Sequence, residues 1–458
     1  MSVGTNSPAI GRINGLLDAN SFVELGSLVT SRSTDFNVNA ADTPSDGVVI
    51  GHGLIDGNLV FVFSQDASVL GGSIGEMHAK KILSVYDMAM KVGAPVIGLL
   101  DSTGVRLQES VDALEALGAI LAKACEASGV VPQIMSVFGS CGGGLSVLTG
   151  VSDFVFMEKS AKLFVNSPDA IDGNSVDQCD TSACDYQFET AGTVDFVGTD
   201  AEIFAQIRKL IAVIPGSNVE DGVFDECTDD MNRAAEGLAD KRGSVADLAA
   251  EISDNHFFFE TKAGYAKSMV TGFIQLGGTT VGVIGNQAGE HGNVLHADGC
   301  DKAAAFVKFC DAYEIPVLTL TNIEGYCTCK CAERRLPRAL AALTNAFASA
   351  TVAKINLITG SACGSSYVLM NSKSMGADLV YAFPDAKVEI MNPSLAANIM
   401  GADANEFATK VNGLNNAARH GYVDRIVNFE DTRKYLIDGF EMLYTKKTFE
   451  SYKKHSTK

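Results

Sequence analysis

Residues 139–145 read GSCGGGL, and residues 361–367 read SACGSSY. Cys141-Gly142-Gly143-Gly144 lines up with Cys363-Gly364-Ser365-Ser366, 222 positions on. Each turn lies between a strand-like apolar run and a helix-like run. The first N–H groups of a helix have no intrahelical partner, and the helix dipole adds positive potential there. Glycine lets a ligand approach the backbone closely. Two adjacent N–H groups aimed at one oxygen stabilise developing negative charge, and losing one such donor costs about 3–4 kcal/mol in the transition state. Two such turns point to chemistry in which two carbonyl oxygens both become negative. The bland alternative is strand–helix packing that needs small residues, but packing alone does not require the turn at matching places in both halves. No G-x-x-x-x-G-K-[ST] phosphate loop is present, nor a G-x-S-x-G elbow with a plausible histidine partner.

The turns belong to a longer repeat. "GLIDGNLVFVFSQD" (53–66) matches "GFIQLGGTTVGVIGNQA" (272–288), with an extra residue or two in the second turn, and sets Gln65 against Gln287. The helical pattern "AKKILSVYDMAMKVGAPVIGLLD" matches "DKAAAFVKFCDAYEIPVLTLTN", setting Pro95 against Pro316. Downstream, "SDFVFMEKSAKLFVNSP" matches "ADLVYAFPDAKVEIMNP", which sets Lys162 against Lys387; upstream, "DANSFVEL" echoes "DNHFFFET". The offsets of the Gln, Pro and Lys pairs run from 221 to 225. Short β-rich runs (LVFVFSQ, PVIGLLD, PQIMSVFG, DFVFME) alternate with helical patterns, the sequence form of stacked ββα units in an α/β architecture. The acidic stretch of about residues 215–245 reads as a linker. Two domains are therefore expected, residues 1–230 and 231–458.

A chain of 458 residues exceeds one ordinary core, in keeping with that division. Its net charge of −20 argues against nucleic-acid binding, which needs clustered Lys and Arg. The opening "MSVGTNSPAIGRINGLLDAN" lacks a basic leader followed by an apolar run, and no apolar stretch approaches a membrane span, so a cytoplasmic location is expected. Most of the eleven cysteines read as reduced, buried small hydrophobes. The tight cluster "CTCKC" (Cys327, Cys329, Cys331) lacks the paired C-x-x-C of a zinc ribbon, and a loop role with no metal is the expectation.

The joint order of "SFVEL", "RSTDF", "DGVVIGHGLIDGNLVFVFSQD", "GGSIGEMHAKKI", "DSTGVRLQE", "FGSCGGG", "ITGSACGSSYVLM", "GADLVYAFPDAKVEIMNP" and "ARHGYVDRIVNFEDTRKYLIDGFEMLYTKK" resembles the carboxyltransferase subunits of biotin-dependent acyl-CoA carboxylases and decarboxylases over nearly the whole length. The resemblance implies two tandem crotonase-type domains, assembled as hexamers, with active sites where the first domain of one subunit meets the second domain of another. Acyl-CoA would sit on the first domain. Biotin, tethered to a separate biotin carboxyl carrier protein, would enter from the second. A carboxyl group would pass between biotin N1′ and the α-carbon of the thioester. The family's paired donors fall on Gly143 and Gly144 for the thioester enolate, and on Ser365 and Ser366 for the biotin ureido oxygen. Gly71, Gly72, Gly104, Gly142, Gly292, Gly364 and Val368 are expected to line the substrate sites. The partner chains would be a biotin carboxylase or a membrane decarboxylase subunit. Departures cluster at the second site: Ser365 stands where relatives usually have Gly, Val368 where they often have Asp, and "EGYCTCK" replaces "PGFLPG". A biotin-independent crotonase-type enzyme would need one domain rather than two, and a non-catalytic acyl-CoA-binding scaffold would be compatible with the altered loops.

Overall fold

Alternating short strands and helices build two units, Met1–Asp221 and Gly222–Lys458. The computed structural model describes residues 7–36, 38–39, 43–220, 223, 226–391, 393–401, 403–405, 407, 413–446 and 448.

The first unit runs α1 (Pro8–Leu16), β1 (Val23–Leu25), β2 (Val48–Ile55), β3 (Asn58–Gln65), α2 (Glu76–Val92), β4 (Val96–Ser102), α3 (Val111–Ala127), β5 (Gln133–Gly142), α4 (Ser146–Val151), β6 (Phe154–Glu158), β7 (Lys162–Phe164), β8 (Phe196–Gly198) and α5 (Asp200–Ile211). Its sheet has the order β1-β2-β3-β4-β5-β6-β8, with β7 paired to the far end of β5. From β3 onward the neighbouring strands are parallel. The inner strands are buried on both faces, which is why they read as unbroken apolar runs rather than alternating ones. Ser7 caps α1, its Oγ accepting from the Ala9 N–H, and a full Thr199/Glu202 capping box starts α5.

The second unit runs α6 (Val245–Ile252), β9 (Phe259–Thr261), β10 (Met269–Leu276), β11 (Thr279–Asn286), β12 (Val294–Leu295), α7 (Ala297–Ala312), β13 (Val317–Ile323), β14 (Gly325–Tyr326), α8 (Lys330–Glu333), α9 (Leu336–Ser349), β15 (Lys354–Cys363), α10 (Gly364–Leu369), β16 (Leu379–Ala382), β17 (Lys387–Glu389) and β18 (Arg425–Ile426), with a closing helix at Thr432–Leu443. Its sheet order, β9-β10-β11-β13-β15-β16-β18 with β17 on β15, repeats that of the first unit strand for strand. Among the described residues, no helix is long and apolar enough to cross a membrane.

Strand pairing gives the register of the repeat directly. Ser102 faces Cys141 across β4 and β5, and Ile323 faces Ala362 across β13 and β15, so Cys141 corresponds to Ala362 (362 − 141 = 221). Cys363 therefore stands one residue out of step with Cys141, a correction to the alignment by cysteines. The hairpins carry no extra residue either. Ile55 pairs with Asn58 and Leu276 with Thr279, so both turns have two residues. Asp56-Gly57 and Gly277-Gly278 all have positive φ, as two-residue hairpins favour. Gly51 thus corresponds to Gly272. At each, a β-carbon would strike the backbone oxygen of the edge strand, Val23 in one unit and Phe259 in the other. Asn286, not Gln287, is the counterpart of Gln65. The Asp101 N–H donates to Gln65 Oε1 (3.1 Å) and the Asn322 N–H to Asn286 Oδ1 (3.0 Å).

The stretch read as a linker is largely part of the second unit. Ala235 and Leu238 are buried in its core. The Arg233 guanidinium donates to the Ser253 carbonyl (2.8 Å) and pairs with Asp229 (3.0 Å). The units divide at 221/222, nine residues before the expected 230/231 (230 − 221 = 9). Arg433, remote in sequence, also pairs with Asp229 (3.5 Å), a contact that local composition does not show.

One further device is duplicated. Asp18 accepts from the hairpin N–H groups of Asp56 and Gly57 (both 3.1 Å), and Asp254 from those of Gly277 (3.1 Å) and Gly278 (2.7 Å). Each carboxylate is held by an arginine from the last helix of its unit, Arg208 (2.7 Å) or Arg433 (2.7 Å). The first pair is partly exposed, at 29% and 28% of the side chains. The second is buried, at 0% and 3%. Arg433→Met is expected to destabilise the second unit by about 3–5 kcal/mol, because it strands a buried carboxylate. Arg208→Met should cost far less, since solvent screens that pair. Denaturant-dependent hydrogen exchange, read separately for the two hairpins, checks this, and equal losses would show that burial does not set the difference.

Candidate active site

β5 is pinned on both sides where it ends: Cys141 faces Ser102 of β4, while Cys141 and Gly142 pair with Leu163 and Phe164 of β7. The chain then turns through Gly143, at φ +61°, and enters α4. No side chain caps this turn. The Ser146 Oγ donates to the Gly143 carbonyl (2.7 Å), which ties down the carbonyl side of the turn. A β-carbon on Gly143 would meet nothing within 4 Å, so the space before it is open. On Gly144 it would press the Leu117 side chain at 2.9 Å, and on Gly142 the Phe164 ring at 2.7 Å.

In the second unit, β15 ends at Cys363 and the chain turns through Gly364, also at φ +61°, into α10. Again no side chain caps the first turn. By backbone geometry the counterparts of Gly143 and Gly144 are Gly364 and Ser365, with Ser366 one residue further on. The Ser366 Oγ donates to the Cys363 carbonyl (2.7 Å). Tyr326 of β14, which the sequence did not single out, donates its hydroxyl to Ser365 Oγ (3.0 Å). Val368 follows on α10 and is 36% exposed.

The expected glycines gather around these turns within their own units. The Thr103 N–H donates to the Gly71 carbonyl (3.0 Å), and the Ile74 N–H to that of Gly104 (2.8 Å). A β-carbon on Gly72 would strike the Asp101 carbonyl, and one on Gly104 would lie 3.9 Å from the Gly142 carbonyl. Gly71, Gly72 and Gly104 thus form a loop pair beside Gly142. Gly292 exchanges backbone hydrogen bonds with Gly289 and leads into β12, the partner of β14 and hence of Tyr326.

Neither turn offers a nucleophilic thiol. Burial pushes Cys141 up to about 12. Cys363 is raised by burial, then by Glu389 and Glu324. What remains for chemistry at both turns is the backbone amides and, in the second, hydroxyls.

The loop pair of the first unit rests on a buried polar network. Arg106 pairs with Asp46 (2.6 Å) and Glu109 (2.8 Å), all with side chains 0% exposed, and donates to the Ser73 carbonyl (2.7 Å). Asp46 Oδ2 accepts from the His78 N–H (2.7 Å). The His78 ring is fully buried, and desolvation, then Arg106, depress it to about 3. It is neutral, and its surroundings select the tautomer. Nδ1–H donates to the Asp46 carbonyl (2.9 Å), and Nε2 accepts from Gln65 Nε2 (3.2 Å). Gln65 then passes the constraint to the Asp101 N–H at the end of β4. Arg106 lies in the quoted "DSTGVR", but composition carries no sign that its partner Asp46 is 60 residues upstream.

Two units of matching topology, each presenting uncapped amides at a strand-to-helix turn, define a tandem crotonase-type α/β protein. The chain belongs to the carboxyl transferase domain family, which it matches over residues 6–457. It is 37% identical over 472 aligned positions to methylmalonyl-CoA decarboxylase subunit alpha of Propionigenium modestum, covering 97% of this chain and 91% of that one. It is 36% identical to the propionyl-CoA carboxylase carboxyltransferase subunit of Haloferax mediterranei, covering 97% and 92%. The solved transcarboxylase 12S, a hexamer with hydrolysed methylmalonyl-coenzyme A bound, superposes with a TM-score of 0.93 at 34% identity, over 98% of this chain and 92% of that one. A single-chain, multi-domain long-chain acyl-CoA carboxylase shares the fold at a TM-score of 0.81 and 21% identity, over 94% of this chain and 45% of that one.

The His78 network carries a pH signature. Its folded-state value of about 3 lies below the ordinary 6.5, so the unfolded chain takes the proton first as pH falls. The stability owed to neutral His78 is fully present above pH 6.5 and is lost between there and pH 3, at up to about 1.4 kcal/mol per pH unit. Urea midpoints of wild type and His78→Gln at about pH 7.5 and about pH 4.5 test this. The two proteins should converge in stability at the lower pH, and a constant gap would show that His78 does not titrate on unfolding.

Proposed function

We propose that this chain is the carboxyltransferase subunit of a biotin-dependent system, moving a carboxyl group to or from the α-carbon of a short-chain acyl-CoA of the propionyl or methylmalonyl type. The observation that carries the reading is the matched pair of uncapped turns, each with glycine at φ +61°, in two units of one topology.

In this proposal the Gly143 and Gly144 N–H groups hold the thioester oxygen in the open space before Gly143 and stabilise the negative charge it acquires in the enolate. Fixed amides suit that task, because a thioester α-proton is too weakly acidic for removal without charge stabilisation. Val368, on the exposed side of α10, is placed beside the acyl group. The second turn takes the ureido carbonyl of biotin, through Ser365 and Ser366. A neutral carbonyl oxygen fits there better than a phosphate, since Glu324 and Glu389 act on Cys363 at the end of β15. When bound, biotin supplies the site that carries the carboxyl group between reactions. The hydroxyl of Tyr326 fixes Ser365 Oγ and so keeps that side chain out of the donor position. A biotinylated carrier protein, a biotin carboxylase or membrane decarboxylase partner and a hexameric assembly complete the reading, by analogy with the relatives. Both directions of transfer use the same two turns.

Asparagine tolerates positive φ, so Gly143→Asn should fold. Its side chain fills the open space, and carboxyl transfer is expected to fall by about a hundredfold or more. A folded variant with near-wild-type turnover would remove Gly143 from the site. For the second turn the readout is methylmalonyl-CoA decarboxylation stimulated by free biotin. Ser366→Ala should keep the stimulation, and Ser366→Pro, which deletes the donor, should lose it. Stimulation retained in Ser366→Pro but lost in Ser365→Pro would instead assign the donors to Gly364 and Ser365, the backbone counterparts of Gly143 and Gly144.

Val368→Asp replaces an apolar side chain by a charged one at the proposed acyl pocket. The ratios of kcat/KM among acetyl-, propionyl- and butyryl-CoA should shift by about tenfold, the scale of methylene-level discrimination. Equal losses for all three substrates would place Val368 outside the pocket.

A further inference from the structure

His291, Cys327 and Cys329 bring a ring nitrogen and two sulfurs within 4.8 Å of one another. The two Sγ atoms are 3.4 Å apart. Tetrahedral zinc, with bonds of about 2.3 Å to sulfur and about 2.1 Å to nitrogen, spaces its ligands by about 3.5–3.8 Å. Small side-chain adjustments would therefore seat such an ion. Two thiolates and an imidazole suit a borderline-soft ion of the zinc type, not magnesium or calcium, which take oxygen ligands. Cys327 is buried, Cys329 half-buried and His291 exposed, so the ligand set opens towards solvent. The Cys331 side chain lies outside the described residues.

A second observation comes from the repeat. The Arg106 N–H donates to the Ile74 carbonyl (2.8 Å), and the Cys327 N–H donates to the Leu295 carbonyl (2.9 Å). Both donor and acceptor are 221 positions on, so Cys327 occupies the place of Arg106. In the first unit Arg106 pins the loop pair through Asp46, Ser73 and Glu109. The corresponding residues of the second unit are Lys267, Val294 and Lys330. With cysteine for arginine and lysines for both carboxylates, that ion network has no counterpart there. Three side chains with metal-ligand chemistry converge where it is missing.

We propose that a zinc-type ion held by His291, Cys327 and Cys329 pins the second unit's loop pair in place of the Arg106 network. On binding, each thiol releases its proton to solvent, and the two thiolates and the imidazole each donate a lone pair, with no change of oxidation state. The ion ties the turn at 289–292 to the segment at 327–329. It thereby steadies Tyr326, the neighbour of Cys327, whose hydroxyl reaches Ser365 Oγ. Metal binding is read without any assay of carboxyl transfer, so this inference and the proposed function fail independently.

The test titrates reduced, metal-free, full-length chain with Co²⁺ under anaerobic conditions. Thiolate-to-cobalt charge-transfer absorption and intense visible bands should saturate at one Co²⁺ per chain and be displaced by Zn²⁺. Cys327→Ser/Cys329→Ser should abolish the charge-transfer band. His291→Ala changes an exposed turn residue and should leave the fold intact while weakening affinity at least about tenfold. Zn²⁺ should slow amide exchange in residues 289–296 and 324–330 of wild type and leave it unchanged in the double variant. A wild-type chain without stoichiometric charge-transfer absorption would overturn the site, as would a double variant that keeps the band or a His291→Ala titration identical to wild type. Stoichiometric binding without slowed exchange would overturn the pinning role.

Discussion

A peptide N–H can receive an incoming oxygen only if the fold leaves it without an acceptor and still holds it in place. These demands conflict, because backbone groups removed from water are almost always paired. Both units meet the conflict in the same way. A ten-residue central strand is paired to its last residue on one side and to the residue before it on the other, and the turn follows at once. Rigidity comes from the ladders of β4 and β7, or β13 and β17, while the freedom to leave donors uncapped comes from a glycine in the left-handed region. The rest of each unit serves to fix where that one strand ends.

Although the Arg106 network is not repeated, the two halves share polar devices at the starts of their strands. Asp153 accepts from the Gln133 N–H, and Asp378 from that of Lys354 (both 2.8 Å). Asp195 accepts from the Val155 N–H and Asp424 from that of Val380. Each satisfies a strand-start donor that would otherwise be stranded, and leaving such a donor unpaired costs about 1–3 kcal/mol. Burial pushes Asp153 up to about 7. Apolar side chains exchange for one another with little penalty so long as volume is kept. A carboxylate that completes a ladder has few substitutes, so the ladder ends carry the duplication clearly.

Much of this was legible. Periodicity and glycine placement showed the α/β units, the two turns and the duplication, and "DANSFVEL" against "DNHFFFET" set Asp18 against Asp254, two residues that do the same work. The pairing of Lys162 with Lys387 stands, since each faces a serine of the central strand, Ser140 or Ser361. What failed was fine register. Cysteine looked like the natural anchor at the turns, but backbone conformation fixes the correspondence there, and only glycine at positive φ reports it. Gln287 looked like the partner of Gln65, yet Asn286 has the reach to accept from the neighbouring strand. The stretch of about residues 215–245 read as a linker because it is acidic and sparse in apolar residues, and its pairing with Arg433 is remote in sequence. His291 was invisible beside Cys327 for a related reason: nothing in the spacing shows that two strands of two residues each, β12 and β14, bring their flanks together.

The seam at 221/222 has a consequence for how such a protein is made. Every network described above closes within one unit: hairpin carboxylate, arginine clasp, ladder ends and turn. Each of these is complete within its own unit, so the peptide link is not what shapes them. Its contribution is stoichiometric. Translation of one message yields one copy of the first unit for every copy of the second, a one-to-one ratio that two separately encoded halves would have to achieve by matched expression.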